Sequence, residues 1–128
     1  MIVADSDVLI DFLAGRDPAA ARVEVELGTD SFGTTVVSRF ELLAGARDRT
    51  AEGIVRRLLD TIPTLPLERQ SADRAAAVRR TLEGRGAAIG MADSLIAGIV
   101  LTHDAILLTR NRKHFERVEG LKLASLPS

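Results

Sequence analysis

Cysteine is missing from the 128-residue chain, which excludes disulfides, thiolate zinc sites and cysteine nucleophiles. Tryptophan and tyrosine are absent too and phenylalanine occurs four times, so the core must be built from Leu, Ile, Val and Ala. Long hydrophobic runs are lacking. Leu95 to Leu101, in the C-terminal third, falls far short of the roughly 20 residues that span a bilayer. The opening segment holds Asp5, Asp7 and Asp11 and no basic residue, unlike a signal peptide. The expectation is a soluble protein of the cytoplasm with no membrane association. Charge of one sign is lacking as well: 17 Lys and Arg against 18 Asp and Glu leave a net charge of −1. That gives no overall basic footprint for nucleic acid, so a local patch or a bound cation would have to supply one.

What is present is 46% hydrophobic residues, enough for a core, in a length that fits one domain over residues 1–128. Ile2-Val3-Ala4 reads as a buried strand, after which Val8, Leu9, Phe12 and Leu13 take helical spacing up to Gly15. Asp17-Pro18 looks like an N-cap with proline in the first helical position, opening a helix that runs to Gly28. Phe32 to Val37 is β-branched and reads as a second strand. Ser38 to Gly45 is a third helix. Val55, Leu58, Leu59 and Ile62 mark a fourth that starts at Thr50 and stops at Pro63. Thr64 to Leu67, flanked by prolines, suits a sheet edge. Ser71 to Glu83 and Met91 to Leu101 are helical, Ala105 to Thr109 is a strand, and Leu121 to Ala124 a final one. Strands alternating with helices indicate an α/β domain whose central sheet is mostly parallel and covered by helices on both faces.

Three acids stand at junctions between these elements. Asp5 follows the first strand, where it is a metal ligand, a phosphoryl-accepting nucleophile or a helix cap. Asp7 and Asp11 lie in or near the first helical turn and suit the helix dipole. Glu41 completes a capping box with Ser38. Asp93 sits in a helix that is apolar nearly all round, where an unpaired carboxylate is costly. A parallel sheet gathers such junctions at one edge, and clustered carboxylates repel unless a cation lies between them. Hard oxygen donors select Mg²⁺, or Mn²⁺ as an alternative, a site suited to phosphodiester hydrolysis. His103 and His114 have no partner at metal-ligand spacing and read as loop or helix-surface residues.

Four segments together resemble a PIN domain, and more narrowly the toxin ribonucleases of VapBC-type toxin–antitoxin pairs. They are Val3 to Asp11, Ser38 to Gly45, Gly90 to Ala97 and Leu107 to Phe115. The resemblance implies RNA as substrate, Asp5, Glu41 and Asp93 as catalytic residues of an acidic metal site, a homodimer, and a VapB-type antitoxin lying over the active-site groove. Where family members often carry a fourth acid this chain has Asn111, a weaker ligand without charge. Asp7 stands where relatives more often have a small uncharged polar residue, and its extra charge beside Asp5 either tunes metal affinity or caps the helix. Arg110, Arg112 and Lys113 form a short basic cluster placed to hold an RNA backbone.

Two other readings compete. Strand-Asp-x-Asp also opens phosphoryl-transfer enzymes of the haloacid-dehalogenase type, with Asp5 as nucleophile and Asp7 as acid/base. That reading leaves Glu41 unexplained and finds lysines only at Lys113 and Lys122. A PIN-like binding module without activity is the second, opposed by the intact trio of acids.

Overall fold

Alternation of apolar residues in two short strands organises the molecule. In the computed structural model, which describes residues 1–126, β1 (Ile2–Ala4) and β4 (Ile106–Leu108) run side by side in parallel. Ile2 pairs with Ile106, Val3 with Leu107 and Ala4 with Leu108. On the far side of β1 come β2 (Phe32–Thr35) and then β3 (Thr64–Leu65), and β5 (Lys122–Leu123) lies beyond β4. The order is β3-β2-β1-β4-β5 and every pairing is parallel. The mostly parallel sheet expected from the sequence is thus fully parallel. The last two residues of the expected 1–128 domain lie outside the described residues.

Successive strand residues point to opposite faces, and each face has its own core. Ile2, Ala4, Ile106 and Leu108 pack with Leu9 of α1 (Ser6–Leu13), Val23 of α2 (Ala19–Leu27), Leu42 of α3 (Val36–Ala44) and Leu59 of α4 (Arg49–Leu59). Val3 and Leu107 pack with Leu82 of α5 (Arg69–Gly84), Val100 of α6 (Met91–Thr102) and Phe115 of α7 (Arg112–Phe115). Helices cover both faces, as expected. Helices α5 and α6 approach closely because Gly98 has no side chain. A methyl group there would press into the Ser71 carbonyl oxygen and lie 2.8 Å from Ala75 Cβ.

Several boundaries differ from the sequence reading, each for a local reason. The second strand ends at Thr35, and Val36 and Val37 belong to α3. The Ser38 backbone N–H donates to Thr35 Oγ1 at 3.1 Å, so a threonine cap overrides the β preference of two valines. The capping box is corrected by the same contact: Ser38 is buried inside the first turn and Glu41 lies a turn further on, free of any capping duty. Asp17 is not the N-cap of α2: that position is taken by Pro18, the helix opens at Ala19, and Asp17, one residue earlier, accepts the Ala21 N–H at 3.0 Å. Asp48 rather than Thr50 caps α4, accepting the Ala51 N–H at 2.8 Å. Of the basic cluster after β4, Arg112 and Lys113 lie in the one-turn helix α7 and Arg110 precedes it. The proline-flanked strand takes the edge position.

Candidate active site

Parallel strands bring all their carboxyl ends to one side, and there the chain collects its polar residues. Asp5 leaves β1 and caps α1. Its Oδ1 accepts the Ser6 N–H at 2.8 Å and its Oδ2 accepts the hydroxyl of Thr109, which leaves β4, also at 2.8 Å. Cap and candidate ligand are therefore one residue. Asp5 is 5% exposed and Thr109 fully buried. Asp7 turns toward the same hydroxyl at 3.4 Å and accepts the Arg110 backbone N–H at 3.2 Å.

Burial, and after it the neighbouring charge of Asp7, pushes the Asp5 carboxyl up from 3.8 to about 7, with Asp93 adding to the repulsion. The hydrogen bonds from Thr109 and Ser6 oppose that rise. Burial raises Asp7 as well, against the pull of the Arg110 N–H and guanidinium. Among the described residues, no cationic side chain compensates Asp5.

Asp93 occupies the first turn of α6, whose N-cap is Gly90, so it does not cap that helix. Its Oδ2 accepts from Asn111 Nδ2 at 3.1 Å and faces His114 Nδ1 at 3.2 Å. The same Asn111 nitrogen lies 2.9 Å from His114 Nδ1. Glu41 reaches the site from α3, where its Oε1 accepts the hydroxyl of Ser6 at 3.1 Å. Asp5 and Asp93 are thus within electrostatic reach of each other, and Glu41 is tied to the residue that follows Asp5.

The remaining expected residues are more scattered. Arg110 Nε pairs with buried Asp11 at 2.9 Å, and Arg16 meets the same carboxylate at 3.6 Å. Asp11 therefore holds two arginines rather than serving the helix dipole alone. Arg112 donates to the Ala124 carbonyl at 2.6 Å and pairs with Glu116 at 3.6 Å. Lys113 is exposed. His103 turns back onto the Ile99 carbonyl of its own helix at 2.9 Å.

Thr109 and Ser6 have no role in the sequence reading, and His114, read there as a surface residue without a partner, instead faces Asn111 and Asp93. The first two carry no recognisable motif. His114 follows Asn111 by three residues, a spacing that places two side chains on one face only once a helix is known to be there.

The donors fit a hard cation in kind: carboxylate oxygens from Asp5, Asp93 and Glu41, with an amide at Asn111. Among the described residues, no three His, Cys, Asp or Glu side chains converge into a metal cage. Mg²⁺ does not require one, since it is held by one or two carboxylates and completes its shell with water and substrate phosphate.

A parallel α/β sheet with acids at its carboxyl edge defines the class, and the family model for the PIN domain matches residues 2–121. The chain belongs to the PIN-domain family, on its VapC ribonuclease branch. It is similar to Ribonuclease VapC10 of Mycobacterium tuberculosis, with 37% identity covering 95% of this chain and 91% of the relative. It is similar also to the tRNA(fMet)-specific endonuclease VapC of Shigella flexneri, with 27% identity covering 92% of each. Among solved structures, VapBC-1 from nontypeable Haemophilus influenzae superposes with a TM-score of 0.83 at 26% identity, covering 98% of both chains. VapBC2 from Rickettsia felis, bound to a promoter DNA fragment, shares the fold with a TM-score of 0.88 at 20% identity over 99% of this chain.

Proposed function

We propose that this chain is the toxin of a type II toxin–antitoxin pair: a divalent-metal-dependent endoribonuclease of the cytoplasm, homodimeric and restrained by a cognate VapB-type antitoxin. The observation that carries the metal-dependent step is Asp5, a buried carboxylate beside two other acids with no cationic partner among the described residues. A bound Mg²⁺ or Mn²⁺ would polarise the scissile phosphate and favour hydroxide over water at neutral pH.

The side chains divide the remaining work. Thr109 and the Ser6 N–H fix the two oxygens of Asp5. Asn111 steadies Asp93 through Oδ2, beside the ring of His114. Glu41, held through one oxygen by Ser6, presents its second oxygen to take a proton from the attacking water. Exposed Lys113 and the solvent-facing part of Arg110 contact the RNA backbone, a sequence-independent contact. The phosphoryl-transfer alternative gives no role to Glu41, which stands beside Ser6 at the same edge.

The antitoxin has a place to sit. Ile10, Leu13, Leu42, Ile54 and Val55 line an open groove of about 400 Å³ between α1, α3 and α4, and Glu41 stands at its end. Ile10 and Ile54 are 46% and 42% exposed, unusual for large aliphatics that serve only a core. An amphipathic segment with apolar residues in this groove would bring a following Arg or Lys onto the acids. Ile54→Asp should weaken antitoxin binding by at least tenfold, about 1.4 kcal/mol, and leave RNA cleavage intact. Titration calorimetry with the cognate antitoxin and a cleavage assay on the same preparation read the two effects separately.

The decisive test of the activity is cleavage of total cellular RNA by the purified chain in Mg²⁺ or Mn²⁺, with chelator as control and the new ends mapped. Cleavage that survives chelation overturns the metal dependence. Normal growth of the host when the chain is produced soluble and without inhibitor overturns the toxin role.

A further inference from the structure

The contacts of His114 contain a mismatch. Asn111 Nδ2, His114 Nδ1 and Asp93 Oδ2 form a triangle with edges of 2.9, 3.2 and 3.1 Å. The amide can give one hydrogen to Asp93 and its other to His114, but the ring nitrogen then turns a lone pair toward the carboxylate. If the ring nitrogen carries the hydrogen instead, both nitrogens donate to Asp93 and their hydrogens oppose each other. With the amide turned over, its oxygen opposes the carboxylate. With Asp93 ionised, every placement of hydrogens leaves one edge with like facing like.

A divalent cation removes the conflict. In an octahedral shell with ligands at roughly 2.1 Å, neighbouring donors are about 3 Å apart. Nδ1 and Oδ2, at 3.2 Å, have that separation. Both residues are open to an entering ion, their side chains being 43% and 22% exposed, while buried Phe115 fixes the turn of α7 that carries the ring.

We propose that His114 is a nitrogen ligand, acting with Asp93, in the cation site of this chain, and that it biases the site toward Mn²⁺ over Mg²⁺. Mg²⁺ keeps an oxygen shell of carboxylates, water and phosphate; Mn²⁺ takes the same oxygen donors but, as a first-row transition ion, accepts a nitrogen in place of one of them more readily than Mg²⁺ does. The side chain that gives the site this nitrogen sits one helical turn from Asn111, the position that brings no charge. This assignment rests on the metal-dependent reading above and extends it to the choice of ion.

Metal binding tests it directly. Mn²⁺ is titrated into the full chain and followed by the EPR signal of the free ion, and pulsed EPR of the bound ion reports coupling to a bound imidazole nitrogen. The parent is expected to show that coupling, and His114→Ala and His114→Gln to lose it. Their Mn²⁺ affinity should fall about tenfold or more, and their Mg²⁺ affinity, measured by calorimetry, by clearly less. Unchanged coupling in both variants, or equal losses for the two ions, overturns the assignment. Asp93→Asn separates this result from the underlying reading. Should Asp93→Asn weaken both ions while His114→Ala weakens neither, only the nitrogen ligand fails. Should the parent bind neither ion and cut RNA in chelator, the metal-dependent reading fails with it.

Discussion

Asp5→Asn and Asp93→Asn are each expected to abolish RNA cleavage, and Asp5→Asn to leave a metal-free protein that melts higher than the parent above neutral pH. The amide introduced by Asp5→Asn would keep an oxygen for the Ser6 N–H, and the Thr109 hydroxyl can turn its hydrogen to Asp7, already 3.4 Å away. What disappears is a buried negative charge. The folded-state value of Asp5, about 7, lies above its ordinary 3.8. Between these two values the folded chain holds a proton that the unfolded chain has released, so stability falls as pH rises through the window and levels off above it. For Asp5 the loss is on the order of 4 kcal/mol. The Asn variant should show a flatter profile, and saturating Mg²⁺ should narrow the gap by stabilising only the parent. Thermal melts at pH 5 and pH 8, with and without metal, make the comparison. A parent that is more stable at the higher pH without metal contradicts it.

Glu41→Gln is expected to lower the cleavage rate by a factor of 10² or more, in the range of a lost general base, with the melting temperature unchanged. The structure sharpens this forecast. A capping-box glutamate would tolerate Gln because the amide serves the same motif, but α3 is capped by Thr35 and Glu41 has no part in that cap. Among the described residues its one side-chain partner is the Ser6 hydroxyl, a bond that a Gln oxygen can still accept. Single-turnover cleavage at saturating metal isolates the chemical step. Near-parental turnover would leave Glu41 as no more than a support for Ser6.

The architecture was legible in the sequence because its strands and helices announce themselves by different periods. Ile2-Val3-Ala4 and Ile106-Leu107-Leu108 are continuous apolar runs of strands buried on both faces, and Val55, Leu58 and Leu59 repeat at helical spacing. Boundaries were less legible wherever a cap decided them, as at Thr35, because hydrogen bonds of one threonine compete there with the propensities of two valines. The acids Asp5, Glu41 and Asp93 drew notice by standing together at junctions between elements, and Asp93 also by the apolar helix around it. Their supporting partners did not. Thr109, Ser6 and His114 gain meaning only from contacts across the sheet edge, such as the 104 residues that separate Asp5 from Thr109. The basic cluster is less uniform than its sequence suggests: Asp11 takes Arg110 and the Ala124 carbonyl takes Arg112.

The order of the strands has a consequence for when this enzyme can become dangerous. Strand β1 is made first and sits at the centre of the sheet, yet its neighbour β4 is synthesised more than a hundred residues later. Until then Asp5 lacks Thr109, Asp93 lacks Asn111 and His114, and the central strand of the sheet lacks one of its two neighbours. A chain still being translated therefore carries the acids without the enzyme. The groove between α1, α3 and α4, by contrast, is encoded entirely within residues 10–55. The docking surface proposed above leaves the ribosome well before the edge that carries Thr109 and Asn111 is complete, so the order of synthesis allows restraint to precede activity.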